Sequence, residues 1–254
     1  MVISLLAIGS GFLWLKNAYH ADSGPSKDTI VLIEKGMGVA AIAEHLKQEG
    51  IVESANVFRF GGQLFGTKQP LRAGEYRIPS KANPARVAEV LKTAEQVVYK
   101  TTIAEGLTTL EIVDFLRAQP GLQGDIVTIP VEGSLLPETY HFHRGETRLS
   151  IIKRMSDAMQ RTVDELWVSR APSLPLATPY EAVILASIVE KETGVAAERG
   201  KVAGVFINRL NKKMRLQSDP TVVYGITNGT GPLGRALTRK DLDGVTAYNT
   251  YEIN

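Results

Sequence analysis

The chain contains no cysteine. That excludes disulfide staples, thiolate nucleophiles and cysteine-ligated metals. Of its four histidines, only His141 and His143 stand close together, and without a nearby third ligand they read as surface residues rather than a metal site. Charge of one sign is also scarce. The formal net charge is +2, no lysine- or arginine-rich run exists, and nucleic acid is therefore not a partner. The Gly-rich run GITNGTGPLG lacks the Gly-Lys-Ser/Thr ending of a phosphate-binding loop. A long hydrophobic run is missing too. Residues 1–15, MVISLLAIGSGFLWL, carry no charged side chain, but they fall short of the roughly 20 residues that span a bilayer. No basic segment precedes them and no small-x-small cleavage site follows, which argues against a signal peptide. Extended through Asn17-Ala18-Tyr19, with Trp14 and Tyr19 at the interface, the run is expected to form one transmembrane anchor over 1–20, with the rest of the chain outside the cytoplasm.

What remains is an ordinary globular composition, 44% hydrophobic and 22% charged over 254 residues, enough for one large or two modest domains. Residues 20–28 are polar and turn-rich, a linker. Thr29 to Ile33 reads as a strand. Val39 to Glu49 has apolar residues at helical spacing and a Gly50 stop. Ser54 caps a second helix to about residue 65, and Arg72 to Ile78 reads as a second strand. Strand–helix–helix–strand in this length is the layout of a LysM module, a glycan-binding fold, and is assigned to 29–80. Asn83-Pro84 opens a helix to about 94, and Val97 to Ile103 is a strand. EGLTTLEIVDFLRAQPG gives a turn and a capped helix. Residues 130–147 read as irregular, and Ser150 as the cap of a long helix to about 170. Thr178-Pro179 with Glu181 matches a capping box for a helix that Gly194 ends, and the next helix runs from Glu198 to about Lys212.

The seven residues from Val183 to Val189 are apolar apart from Ser187, and Glu190 follows. A carboxylate beside apolar surface is costly to ionise, and a carboxyl kept protonated near neutrality suits a general acid. Helical spacing puts Val183, Ala186, Ser187 and Glu190 on one small-sided face, while Glu192 points elsewhere. A solvated surface glutamate is the competing reading.

The blocks ASIVEKET, ER-KVA-VFINRL, MRLQSDPTVVYGI and AYNTY, with EGLTTLEIVDFL and EGSLLPETYHF upstream, stand in consistent order and resemble the endolytic murein transglycosylases, the YceG-like family. The resemblance covers nearly the whole chain after residue 28. It implies an α+β protein: an inner-membrane anchor, a small LysM-like module, and a periplasmic mixed α/β body over 81–254 with a lysozyme-like helical catalytic region. It implies cleavage of the MurNAc–GlcNAc β-1,4 bond of nascent peptidoglycan, leaving 1,6-anhydroMurNAc ends and limiting strand elongation, with Glu190 as the acid. Glycan strands, the inner membrane and peptidoglycan synthases are the expected partners, and no cofactor is required. Asn208, Arg209, Gln217, Asp219, Tyr224, Tyr248, Asn249 and Tyr251 are candidates for holding substrate, with Gln217 to Asp219 in an extended loop before Pro220. Glu138 is a cleft-wall candidate. Family members continue beyond AYNTY into a Gly-Pro-Pro-rich loop, so the catalytic domain is expected to be incomplete at its C-terminus. A non-catalytic glycan-binding scaffold is the alternative. A water-using muramidase would need Glu138 or Asp219 as a second carboxylate across the cleft from Glu190.

Overall fold

The computed structural model describes residues 2–253. The chain divides into two compact units, one of residues 1–99 with 143–145 and one of 100–142 with 146–254.

In the first unit, helix α1 (Val2–His20) precedes β1 (Thr29–Ile33), α2 (Val39–Gln48), α3 (Ala55–Phe65), β2 (Gly74–Ile78) and α4 (Pro84–Thr93). The expected strand–helix–helix–strand order is present, and β1 pairs antiparallel with β2, Val31 opposite Tyr76. Alternation sends Val31, Ile33, Tyr76 and Ile78 into the core, each at most 2% exposed. There they meet Ile42 and Leu46 of α2, Phe58 of α3, and Val87 and Leu91 of α4. The unit thus runs on through α4 to residue 99. Ser54 caps α3 and Asn83 caps α4, each accepting a backbone N–H three residues on.

The transmembrane anchor expected over 1–20 is not supported. Met1 lies outside the described residues, and among the described residues no helix is long and apolar enough to cross a membrane. Gly9, Ser10 and Gly11 dilute the apolar run, and Lys16, Asn17 and His20 follow it within α1. Near the C-terminal end of α1 one aromatic packs on protein. Tyr19 is buried, its ring lies 6.2 Å from that of Phe65, and Phe12 meets Phe65 edge-on at 5.0 Å.

The second unit is mostly helical. Strand β3 (Tyr99–Thr102) pairs with β4 (Thr139–Phe142), and α5 (Thr109–Ala118), α6 (Arg148–Val168), α7 (Pro179–Glu192), α8 (Arg199–Asn211), α9 (Asp219–Thr227) and the one-turn α10 (Arg239–Leu242) follow in chain order around them. Strand β4 corrects the irregular reading of 130–147: Tyr140 and Phe142 alternate inward, and Ile103 N–H donates to Glu138 O at 3.1 Å. The cap of α6 is Thr147 rather than Ser150, whose own N–H donates to the Thr147 hydroxyl. Ile151 and Met155 of α6 are fully buried. Leu166 and Val168 near the end of α6 are exposed, because the last turns of the helix leave the core.

Candidate active site

Helix α7 starts where the capping signal lies. Thr178 Oγ1 accepts from Glu181 N–H at 3.2 Å, and the Glu181 carboxylate reaches back to Ala177 N–H at 2.7 Å. The helix buries Leu185, Ile188 and Val189 against Phe206 of α8, with Val202 and Leu216 beside them. That commits one face. Ala186 and Ser187 stay exposed, and Glu190 is half-buried on that same open face, so the small-sided face predicted by spacing is free of core packing.

The end of α7 sets what stands beside Glu190. Thr193 is buried. Its hydroxyl donates to Glu198 Oε2 at 3.0 Å and accepts from Val195 N–H at 3.1 Å. This corner brings in the 3-10 turn Ala196–Glu198 and starts α8 at Arg199. The Arg199 guanidinium then lies 2.9 Å from Glu190 Oε2, a pair whose side chains are 44% and 26% exposed.

The opposite wall is the turn before α5. Gly106 has φ +75°, and a Cβ there would sit 3.6 Å from Glu190 Cγ and 3.5 Å from Lys191 Cε. A residue with a side chain would strain the backbone there, while its Cβ would make only ordinary contact with Glu190. Two residues on, Thr108 and Glu111 form a capping box, and the Thr108 hydroxyl donates to Gly229 O at 2.7 Å. Gly229 also has positive φ, and a Cβ there would be 3.2 Å from the Tyr224 ring.

Glu132 joins these pieces. Its Oε1 accepts from Thr109 N–H at 3.0 Å and from the Thr109 hydroxyl at 3.2 Å, and its Oε2 accepts from Tyr224 OH at 3.4 Å. Tyr180 OH donates to its backbone oxygen at 3.2 Å. Burial first, and the Glu132 carboxylate second, push the Tyr224 phenol up to about 12. The sign follows directly. A folded pKa above the ordinary 10.0 means that the stability contributed by the neutral phenol is complete below about pH 10 and is lost as pH rises towards 12. In an ultraviolet phenolate titration, Tyr224→Phe is expected to remove only the latest-ionising tyrosine, and Glu132→Gln to bring that tyrosine to lower pH.

The remaining predicted residues fall into separate groups. Tyr224 and Tyr248 meet edge-on at 4.9 Å, and Tyr248 keeps 47% of its surface exposed. Arg209 Nη1 donates to Arg215 O, Leu216 O and Gln217 Oε1, so Arg209 and Gln217 brace one loop. Asp219 does not lie in an extended loop. It opens α9, with Ser218 in the N-cap position and Pro220 in the first turn, and its Oδ1 accepts from Tyr251 OH at 2.7 Å. Asn249 is fully buried, its Nδ2 donating to Leu242 O and Gly244 O and its Oδ1 accepting from Tyr251 N–H. Asn208 is exposed. Glu138 is exposed, with its carboxylate on its neighbour's Thr139 N–H at 2.8 Å. Glu192 leaves the open face and accepts a hydrogen bond from the Ser218 hydroxyl. Sequence reasoning missed Arg199 and Glu132 as site residues, although both lie in the blocks ER-KVA and EGSLLPETYHF that carried the resemblance.

A cavity of about 220 Å³, lined among others by Ser134, Gln160, Tyr180 and Val183, opens near the start of α7. Val183 and Glu190 lie seven residues apart, about 10 Å along the helix.

The model of the YceG-like family matches residues 31–254, and the chain belongs to that family. It is similar to the endolytic murein transglycosylase of Bacillus subtilis (strain 168), 28% identical over 279 residues, covering 97% of this chain and 76% of that protein. It is also similar to the endolytic murein transglycosylase of Streptococcus pneumoniae (strain ATCC BAA-255 / R6), 27% identical over 303 residues, covering 98% of this chain and 53% of that protein. The chain thus spans about half the length of the pneumococcal relative. Among solved structures, a yceG-like protein of Listeria monocytogenes superposes with a TM-score of 0.49 at 27% identity, covering 89% of this chain and 83% of that one.

Proposed function

We propose that this protein is an endolytic lytic transglycosylase of peptidoglycan, and that the carboxyl of Glu190 performs both proton transfers. The observation that carries the reading is a half-buried carboxylate on the one open, small-sided face of α7, walled by Gly106 and met by Arg199. The C1–O4 bond between MurNAc and GlcNAc breaks as Glu190 gives its proton to the leaving O4. The carboxylate then takes the proton of the MurNAc C6 hydroxyl as O6 attacks C1, closing the 1,6-anhydro ring. Every atom is accounted for without water, so the step is a lyase reaction rather than the two-carboxylate hydrolysis of most glycosidases. The ion pair has to open for the carboxyl to hold a proton, and a glycan entering along α7 is what displaces Arg199.

Three observations support the one-carboxylate route. Glu138 is turned onto its own chain, Asp219 is engaged by Tyr251, and Glu132 is engaged by Thr109 and Tyr224. Glu132 is assigned to hold the α5 turn and the Tyr224–Tyr248 pair, two ring faces for sugar. The strand–helix–helix–strand unit is assigned as a LysM-like glycan-binding module. A murein substrate puts the working site outside the cytoplasmic membrane, alongside the synthases that make the strands, whose products such cleavage would shorten. Digestion of peptidoglycan by the purified protein is expected to release long fragments with anhydro ends. Reducing ends would sink the lytic route, and no cleavage at all would favour the scaffold alternative.

A further inference from the structure

The β1–β2 ribbon has a second face, and Glu75 is out of character on it. Glu75 pairs opposite Leu32, so the two share the side that Ile30 also occupies, away from the core residues Val31, Ile33, Tyr76 and Ile78. A glutamate facing outward from such a ribbon is expected to be solvated, yet Glu75 is 6% exposed. Arg144, from the segment 143–145 that belongs to this unit, accounts for half of it, with Nε 3.0 Å from Oε1. Oε2 is buried and has no hydrogen-bond partner among the described residues. A buried carboxylate oxygen without a donor is costly, and the pair with Arg144 does not explain why it is tolerated.

Glu75 lines an open cavity of about 410 Å³ together with Ile30, Leu32, Met37, Glu34, Glu49, His45 and Arg144. His45 Nε2 lies 3.0 Å from Leu32 O. A carbonyl only accepts, so that nitrogen carries a proton. The lining sets three carboxylates against one guanidinium, with aliphatic side chains beside them. A ligand that suits it brings a donor for Oε2, positive charge and methylenes.

We propose that this cavity is a second binding site, separate in chemistry from the Glu190 groove, for an alkylammonium group. The Glu75 side chain turns its enclosed Oε2 to the cavity to accept from the ammonium, Glu34 and Glu49 add attraction at the mouth, and the alkyl stem lies on Ile30, Leu32 and Met37. The source of the amine, a diamino acid with a free side-chain amine in an uncrosslinked peptide stem, rests on the function proposed above; the site itself does not. The site would let the protein hold strands whose stems are not yet joined, since cross-linking turns that amine into an amide.

The test is calorimetric titration of the full chain carrying Glu190→Gln, so that no glycan is cut. The probes are a muramyl tripeptide ending in lysine and the same compound acetylated on its side-chain amine. The free amine is expected to bind at least about tenfold more tightly than the acetylated form, and Glu75→Gln to erase that preference. Should Glu75→Gln not fold, the double variant Glu34→Gln/Glu49→Gln changes only exposed residues and is expected to weaken binding about threefold to fivefold. Equal affinity for the two probes, or a preference that survives in a folded Glu75→Gln protein, overturns the inference. Because the readout is binding, loss of the lytic reading with the amine preference intact leaves this site standing.

Discussion

Glu190→Gln is expected to lower the rate of anhydro-end formation by about a hundredfold to ten-thousandfold, the range for removing a positioned proton donor and acceptor. The amide has nearly the carboxyl's shape but cannot give up a proton and take another back. The fold should barely notice. The lost pair with Arg199 joins side chains that are 26% and 44% exposed, and such pairs contribute about 0–1 kcal/mol. Glu192→Gln is the control, because Glu192 is turned to Ser218 instead of the open face, and it is expected to keep activity within a few fold. The assay is end-group analysis of digested peptidoglycan beside a thermal melt. Activity of Glu190→Gln within tenfold of the parent would remove Glu190 from the chemistry.

Asn249→Ala is expected to cost about 2–4 kcal/mol of stability, which at this size lowers the melting temperature by roughly 5–15 °C. Asn249 is 0% exposed, and its amide serves two backbone carbonyls and one backbone N–H. Truncation leaves all three without partners in a buried place. The loop it braces carries Tyr248, which packs on Tyr224, so glycan affinity should fall along with stability. Tyr251→Phe, which removes one partly exposed bond to Asp219, is expected to cost under about 1 kcal/mol. A calorimetric melt of each variant settles the comparison. An Asn249→Ala protein that melts with the parent and loses only glycan affinity would mean that the amide faces substrate, as its position in AYNTY first suggested.

The features legible in the sequence are the local ones. Ser54, Asn83 and Thr178 each cap the helix expected of them, because a cap is a contact between residues three apart. The open face of α7 was legible too, since helical period alone sets which residues share it. Strand β4 was not. It is four residues long, follows Pro137, and is a strand only because β3, far off in the chain, lies beside it. Asp219 was placed in an extended loop although Ser218 and Pro220 spell a helix start. Arg199 and Glu132 became visible only through partners that the fold supplies, Arg199 through the corner at Thr193 and Glu132 through Tyr224, 92 positions away. Arg209 and Gln217, candidates for holding substrate in the sequence, are joined to each other, a pairing that no pattern announces. The apolar N-terminal run suggested a lipid environment, yet its last turns meet Phe65 and Gly61.

The claim at the centre is that one carboxyl moves the proton both ways and that water takes no part in the bond change. Digesting peptidoglycan in water enriched in heavy oxygen, and weighing the new MurNAc ends, tests it most directly. Ends that carry no heavy oxygen and lie one water lighter than reducing ends are the expected result. Ends that carry one heavy oxygen each would contradict it, and would require a second group to activate water across from Glu190.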